Sequence, residues 1–316
     1  MSSKVQFLTI SADEAGQRLD NFLLRILKGA PKSLIYRVIR KGEVRINKGR
    51  AKPERKLQAG DIVRVPPVRL GEQAPVAKPS EALENILEAS ILYEDSGLLI
   101  VNKPSGLAVH GGSGINLGLV EALRQTRDTS YLELVHRLDR DTSGCIILAK
   151  KRSVLRQLHE KLRADRGIDK QYLALVKGHW SNRRGSVDVP LKKNELKSGE
   201  RIVRVDPEGK ASKTLFHMEE QYSECSLVRA KPITGRTHQI RVHAQHAKHP
   251  LVGDEKYGDD AFNKRMRKLG FKRLFLHASS LSFTLNDGKS IEVHAPLPND
   301  LASALKNLSS YASTTE

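Results

Sequence analysis

The sequence predicts an α+β protein in two parts: a small α/β module, then a larger domain with a mixed, largely antiparallel sheet and flanking helices. Three observations predict it. Strand-like runs outnumber helical ones and do not alternate with them, which argues against a doubly wound parallel sheet. Four prolines fall within fifteen positions at 66–80, PPVRLGEQAPVAKPS, and mark an extended, semi-rigid separator. The charge is uneven. Of a net +18, from 54 Lys and Arg against 36 Asp and Glu, +10 lies within residues 4–69, where 16 basic residues meet 6 acidic ones.

The first module spans 13–69. RLDNFLLRIL places Leu19, Phe22, Leu23, Ile26 and Leu27 at helical spacing. PKSLIYRVIRKG repeats the pattern with Leu34, Ile35, Val38 and Ile39, with Ser33 as N-cap and Gly42 as stop. Short strands follow at EVRIN and DIVRVPP. The linker covers 70–84 and the second domain 85–305. Its strands are read at ILYEDSGLLIVNKPSG, LELVHRL, GCIILAKK, QYLALVKGHW, KTLFHMEEQY, CSLVRAKPITG and LSFTLNDGKSIEVHA. A helix fits SVLRQLHEKLRADR. THQIRVHAQHAKHP is ambiguous by pattern, and Thr237 as N-cap with Pro250 as terminator favours helix. The small polar ending reads as a disordered tail over 306–316.

With 316 residues the chain is long enough for two cores. A field of this sign favours phosphate-rich partners, nucleic acid first. No run approaches the ~18 apolar residues of a membrane span, and the N-terminus lacks the pattern of a signal peptide. Cys145 and Cys225 stand far apart without a CxxC, which argues against a disulfide framework or a zinc–thiolate site and fits a reducing cytoplasm. HGGSGINLG (110–118) is a poor match to a nucleotide loop, lacking both the dinucleotide spacing and a GK[ST] ending. His243, His246 and His249 stand three apart, but the HExxH pattern of a metal site is missing. No cofactor is therefore expected.

VHRLDRDTSG (135–144) sets Asp139 and Asp141 among arginines. Val135 to Leu138 read as a strand end and DTSG as a turn, with Asp141 bonding its own backbone. At strand period Arg137 and Asp139 share a face. An Asp beside a guanidinium keeps its charge, and such a carboxylate can serve as nucleophile or base on an anionic substrate. A structural Asp–Arg pair fits the spacing equally well.

Five strings occur in order: NKPSG (102–106), HRLDRDTSG (136–144), KQYLALVKG (170–178), GRTHQIRVH (235–243) and LFLHA (274–278). Together they resemble the RluA-type RNA pseudouridine synthases over about residues 85–300. RLDNFL, GEVRIN and LQAGDIVRV resemble an S4 RNA-binding domain. The resemblance implies the pseudouridine synthase fold and an isomerase of specific uridines, with large-subunit (23S-type) ribosomal RNA as partner. The glycosidic bond is cut, the uracil turns, and C5 joins C1′, without redox change or energy donor. Carried onto matching positions, Asp139 is the catalytic carboxylate. Addition to the sugar and elimination to a glycal both suit it. Tyr172 stacks on the base, Arg241 pairs with Asp139, and Arg137 fills the space left by the flipped base. Without the resemblance, Tyr172 reads as a core aromatic. Lys32, Arg37, Arg40, Lys41 and Arg45 are the candidate RNA contacts of the first module. Nothing demands more than a monomer. Two other classes compete: a non-enzymatic ribosome-assembly factor, and a metal-dependent hydrolase using His136 with the 238–249 histidines.

Overall fold

The computed structural model describes residues 5–27, 29–68, 78–111, 117–129, 131–164, 167–183, 185–195 and 201–313. The chain divides into two compact units, Met1–Val76 and Ala77–Glu316. The expected linker at 70–84 falls mostly outside the described residues, as does the centre of the 110–118 glycine loop.

In the first unit, strand β1 (Gln6–Thr9) precedes helices α1 (Leu19–Ile26) and α2 (Lys32–Arg40), then β2 (Arg45–Ile46) and β3 (Ile62–Val65). The strands form an antiparallel sheet in the order β1-β3-β2. The module therefore reaches back to Gln6, ahead of the expected start at 13, because β1 completes its sheet. Leu19, Phe22 and Leu23 on α1 and Ile35, Val38 and Ile39 on α2 are buried at i, i+3, i+4 spacing against Val44, Ile46, Leu57, Val63 and Val65. Pro31, not Ser33, caps α2; its φ of −60° is already set for helix entry. Gly42 ends the helix at φ 72°, where its amide reaches Ile39 O and the Glu43 amide reaches Val38 O. That pairing is the left-handed closure that glycine favours.

The second unit opens with α3 (Glu81–Ala89), which takes up the last four positions of the expected linker. Then come β4 (Ile91–Glu94), β5 (Leu98–Lys103), α4 (Leu119–Thr126), β6 (Glu133–Leu134), β7 (Ser143–Ala149), α5 (Arg152–Arg163) and β8 (Ile168–Lys177). The chain continues through β9 (Ser186–Asp188), β10 (Leu191–Glu195), β11 (Arg201–Val205), β12 (Lys213–Gln221), β13 (Cys225–Pro232) and α6 (Gln239–His246). It closes with α7 (Asp260–Lys268), β14 (Leu276–Thr284), β15 (Ser290–His294) and α8 (Asn299–Ser313). The ten-stranded sheet runs β4-β5-β7-β14-β8-β13-β12-β9, with β15 on β14 and β6 on β7; β10 and β11 form a separate hairpin.

Every residue of β7 is buried. Ile146 and Leu148 face one core with Leu119, Leu123, Ile240 and Ala244, while Cys145, Ile147 and Ala149 face another with Leu158. Each fully buried isoleucine contributes about 1.5–3 kcal/mol, so β7 is a firm base for the loop before it. Among the described pairings of this sheet, β7 with β14 is the parallel one. Gly144 sits there at φ 111°, and a β-carbon on it would stand 2.2 Å from Ala278 O.

Two further expectations fail. The strand at LELVHRL ends at Leu134, and 135–142 is irregular. Val135 and Leu138 are the buried positions, three apart rather than two, so exposed Arg137 and half-buried Asp139 share no strand face. Over residues 306–313 the expected tail is instead the second half of α8, because Leu301, Ala304 and Leu308 recur at helical spacing and pack with Phe262, Phe271 and Phe275. Among the described residues, no helix is long and apolar enough to cross a membrane.

Candidate active site

The loop 135–142 is held from three sides. Val135 N–H donates to Ile147 O, and Ile147 N–H donates to His136 Nε2. Burial pushes the His136 imidazole down to about 3, so it stays a neutral acceptor. The NKPSG turn leaving β5 supplies the second hold. Lys103, with no exposed surface, donates from Nζ to Pro104 O and Leu107 O at 2.8 Å and to Arg140 O at 2.9 Å. Burial pushes this lysine down to about 7, against the pull of Asp141 and Asp139. Ser105 Oγ donates to Asp141 O, and Gly106 N–H to Arg140 O. Thr142 N–H, reaching Asp139 O at 3.2 Å, closes the turn itself. The Asp141 carboxylate accepts from Arg140 Nε at the surface rather than serving the turn as expected.

The third hold is α6. Its N-cap is His238, one residue beyond the expected Thr237, and it buries Arg241. Arg241 Nη1 donates to Asp139 Oδ2 at 3.1 Å. Its stronger partner is Asp254: Nε reaches Oδ2 at 2.7 Å and Nη2 reaches Oδ1 at 2.8 Å, a fork against a fully buried carboxylate. Asp254 Oδ1 also accepts from the amides of Lys256 and Tyr257. Burial opposes both charges, but each outweighs it for the other: Arg241 is held above the usual arginine range and Asp254 below the usual carboxylate range. The Arg241 guanidinium lies 5.0 Å from the Tyr257 ring centre.

Two clefts, of about 490 and 740 Å³, meet here, and Arg137, Asp139, His238 and Arg241 line both. Tyr172, on β8 opposite Ala278 and Ala230, forms part of the smaller cleft's wall with Leu276 and Ile240. It is 8% exposed, and burial, with the Asp139 charge, raises its phenol pKa. Tyr172 is thus both packed into the core and part of the cleft wall. Asp139, Tyr172, Arg241 and Arg137 are brought together. In the first unit, Lys32, Arg37, Arg40, Lys41 and Arg45 are all exposed, and Lys32, Tyr36 and Arg40 follow one another at i, i+4 on α2.

The three histidines spaced three apart do not converge. His243 is buried against Thr214 and Ser212, His246 is exposed, and His249 Nδ1 donates to Lys177 O. Sequence reasoning missed Lys103, Asp254 and Tyr257 as site residues, and named His238 only within the metal-dependent alternative. Lys103 and His238 lay inside strings already singled out. Asp254 and Tyr257 lie in VGDEKYG, whose paired glycines signal a turn but whose acid has no periodic partner.

Residues 97–246 match the family described as RNA pseudouridylate synthase, and residues 17–63 match the S4 domain. The ribosomal large subunit pseudouridine synthase C of Pasteurella multocida (strain Pm70) is 57% identical over 309 residues, covering 96% of this chain and 94% of that protein. The protein of the same name from Escherichia coli (strain K12) is 55% identical over 310 residues, 96% of this chain and 97% of its own. Among solved structures, human RNA pseudouridylate synthase domain containing 4 is 27% identical with a TM-score of 0.59, covering 72% of this chain and 96% of that one. With four of the five motif strings lining the smaller cleft and relatives of this identity over nearly the whole length, the chain belongs to the RNA pseudouridine synthase family, with an S4 domain ahead of the catalytic domain.

Proposed function

We propose that the protein converts specific uridines of large-subunit ribosomal RNA to pseudouridine, with Asp139 as the group that acts on the ribose. The observation that carries this reading is the placement of Asp139. It is a half-buried carboxylate fixed by a buried arginine at the meeting point of two clefts, with Tyr172 in one wall. Uracil within folded RNA hides both C1′ and C5, so the nucleotide is flipped out at a cost of a few kcal/mol. Stacking on an aromatic ring returns ~1–3 kcal/mol of it. Tyr172 supplies that ring, and Arg137, exposed at the cleft mouth, fills the gap in the RNA. The freed uracil stays in the cleft while it turns and rejoins through C5.

The exposed bases of the first unit, Lys32, Arg37, Arg40, Lys41 and Arg45, contact RNA phosphates. The relatives' name directs specificity toward the sites of synthase C rather than those of synthase D. We take the protein to act as a monomer, and the substrate places the work in the cytoplasm. The domains are then 13–69 with β1 added, a linker over 70–80, and the catalytic domain beyond it.

The test is Asp139→Asn with unmodified large-subunit rRNA, pseudouridine being read by carbodiimide treatment and primer extension. The intact protein modifies the RNA and the variant does not. Equal modification by both removes Asp139 from the chemistry; none by either favours a non-enzymatic assembly factor.

A further inference from the structure

His238 has no role in the reading above, yet it occupies an unusual backbone position. Its φ of 53° and ψ of 20° put a non-glycine residue in the left-handed region just ahead of α6, a conformation L residues seldom adopt. N-caps ordinarily use extended backbone. The turn brings the imidazole edge-on to Tyr257, with ring centres 5.5 Å apart. Nδ1 lies 2.8 Å from Tyr257 Oη, and Nε2 lies 3.8 Å from Asp139 Oδ2. On its other side Tyr257 Oη accepts the Val203 amide of β11 at 2.9 Å.

These contacts fix a tautomer. Tyr257 is 4% exposed, so its phenol proton needs an acceptor. His238 Nδ1 is the acceptor at hydrogen-bond distance among the described residues. Nδ1 then presents its lone pair, and the proton of the neutral ring stands on Nε2, facing Asp139.

We propose that His238 is a positioning residue for Asp139: its Nε2–H, oriented by Tyr257 and the Val203 amide, is the second donor to Oδ2 beside Arg241 and holds the carboxylate in the rotamer that meets the ribose. The inference rests on the isomerase reading above and deepens it. At 3.8 Å the contact is longer than a hydrogen bond, and it shortens when substrate fills the cleft that both residues line. The ring must stay neutral, because an imidazolium would pair with Asp139 and weaken it as a base or nucleophile. Burial does most to keep it so. Asp139 and Asp254 favour the charged ring, Arg241 and Lys256 oppose it, and the net effect is a lowered pKa.

Tyr257→Phe removes Oη while keeping a ring beneath Arg241. With Nδ1 free to take a proton, kcat on an rRNA transcript falls about tenfold with KM nearly unchanged, and the acid limb of kcat moves to higher pH. His238→Gln lowers kcat by a similar factor and removes that limb's response to Tyr257→Phe. The double variant is no slower than His238→Gln alone, as expected of two residues acting as one unit. Wild-type kcat and pH profile in Tyr257→Phe, or losses that multiply in the double variant, overturn the proposal. Imidazole ¹⁵N shifts give a readout independent of turnover: the Nε2–H tautomer is expected for His238, and an Nδ1–H tautomer overturns the assignment. Asp139→Asn in the same assay reports on the isomerase reading separately, since it abolishes turnover whether or not His238 acts.

Discussion

Arg241 divides one cation between two carboxylates unequally. The buried fork to Asp254 fixes the guanidinium, and the remaining Nη1 is what reaches Asp139. Arg241→Met therefore does more than weaken Asp139. It strands Asp254 as a buried, unpaired charge, and unfolding free energy falls by about 3–5 kcal/mol, measurable by urea titration. Arg241→Met with Asp254→Asn recovers part of that stability and none of the activity. Asp139→Asn, at a half-exposed position, leaves stability nearly unchanged. The pairing of Arg241 with Asp139 was legible through the motif strings. The stronger partnership with Asp254 was not, because it depends on a turn returning thirteen residues later to a helix whose very existence was ambiguous. Lys103 was missed for a related reason. A lysine in NKPSG looks like surface charge, and its three carbonyl acceptors converge only when β5 lies beside β7.

At the scale of elements, the loop before β7 shows where pattern reading fails. LVHRL alternates well enough to pass for a strand, but the chain leaves the sheet at Leu134 and is pinned afterwards by side chains. One of these is His136, and it gives the loop a pH signature. Its pKa is about 3 when folded and about 6.5 when free. Between those values the unfolded chain binds the additional proton, so stability rises with pH across that window. The contribution is fully present above pH 6.5 and is lost as pH falls toward 3. His136→Gln flattens that part of the stability profile, as thermal melts at stepped pH would show. Helix α8 was hidden by composition. Its serines suggested a tail, although Leu301, Ala304 and Leu308 already stood at helical intervals. Truncation at residue 298 exposes Phe262, Phe271 and Phe275. The loss is several kcal/mol, at ~1.5–3 for each large apolar side chain uncovered.

For the molecule as a whole, the division into a small basic unit and a larger sheet unit was readable from charge and proline alone. What could not be read was the sheet's strand order, since β14 joins β7 and β8 only through pairings more than a hundred residues apart in sequence. Every residue lining the smaller cleft belongs to the second unit. A chain lacking residues 1–76 is therefore expected to keep its catalytic centre and lose affinity for rRNA. Filter binding across a salt series would show a shallower slope of log K against log salt, by roughly 0.7 for each single-strand phosphate contact removed. Unchanged affinity and slope would take the first unit out of RNA binding.

Gly144 and Asp139 sit five residues apart in one string, yet they constrain its history in opposite ways. Under the proposed mechanism, exchanging the carboxylate for an amide removes the chemistry and leaves the cleft standing. A lineage taking that step would keep the cleft and its walls on a protein that no longer alters the RNA it meets. Adding a single methyl group at Gly144 drives it into Ala278 O and parts β7 from β14. No neighbouring adjustment of side chains answers a clash with main chain. A substitution scan of the string would score both positions as dead, although one is an exit toward a new occupation for the fold and the other is closed.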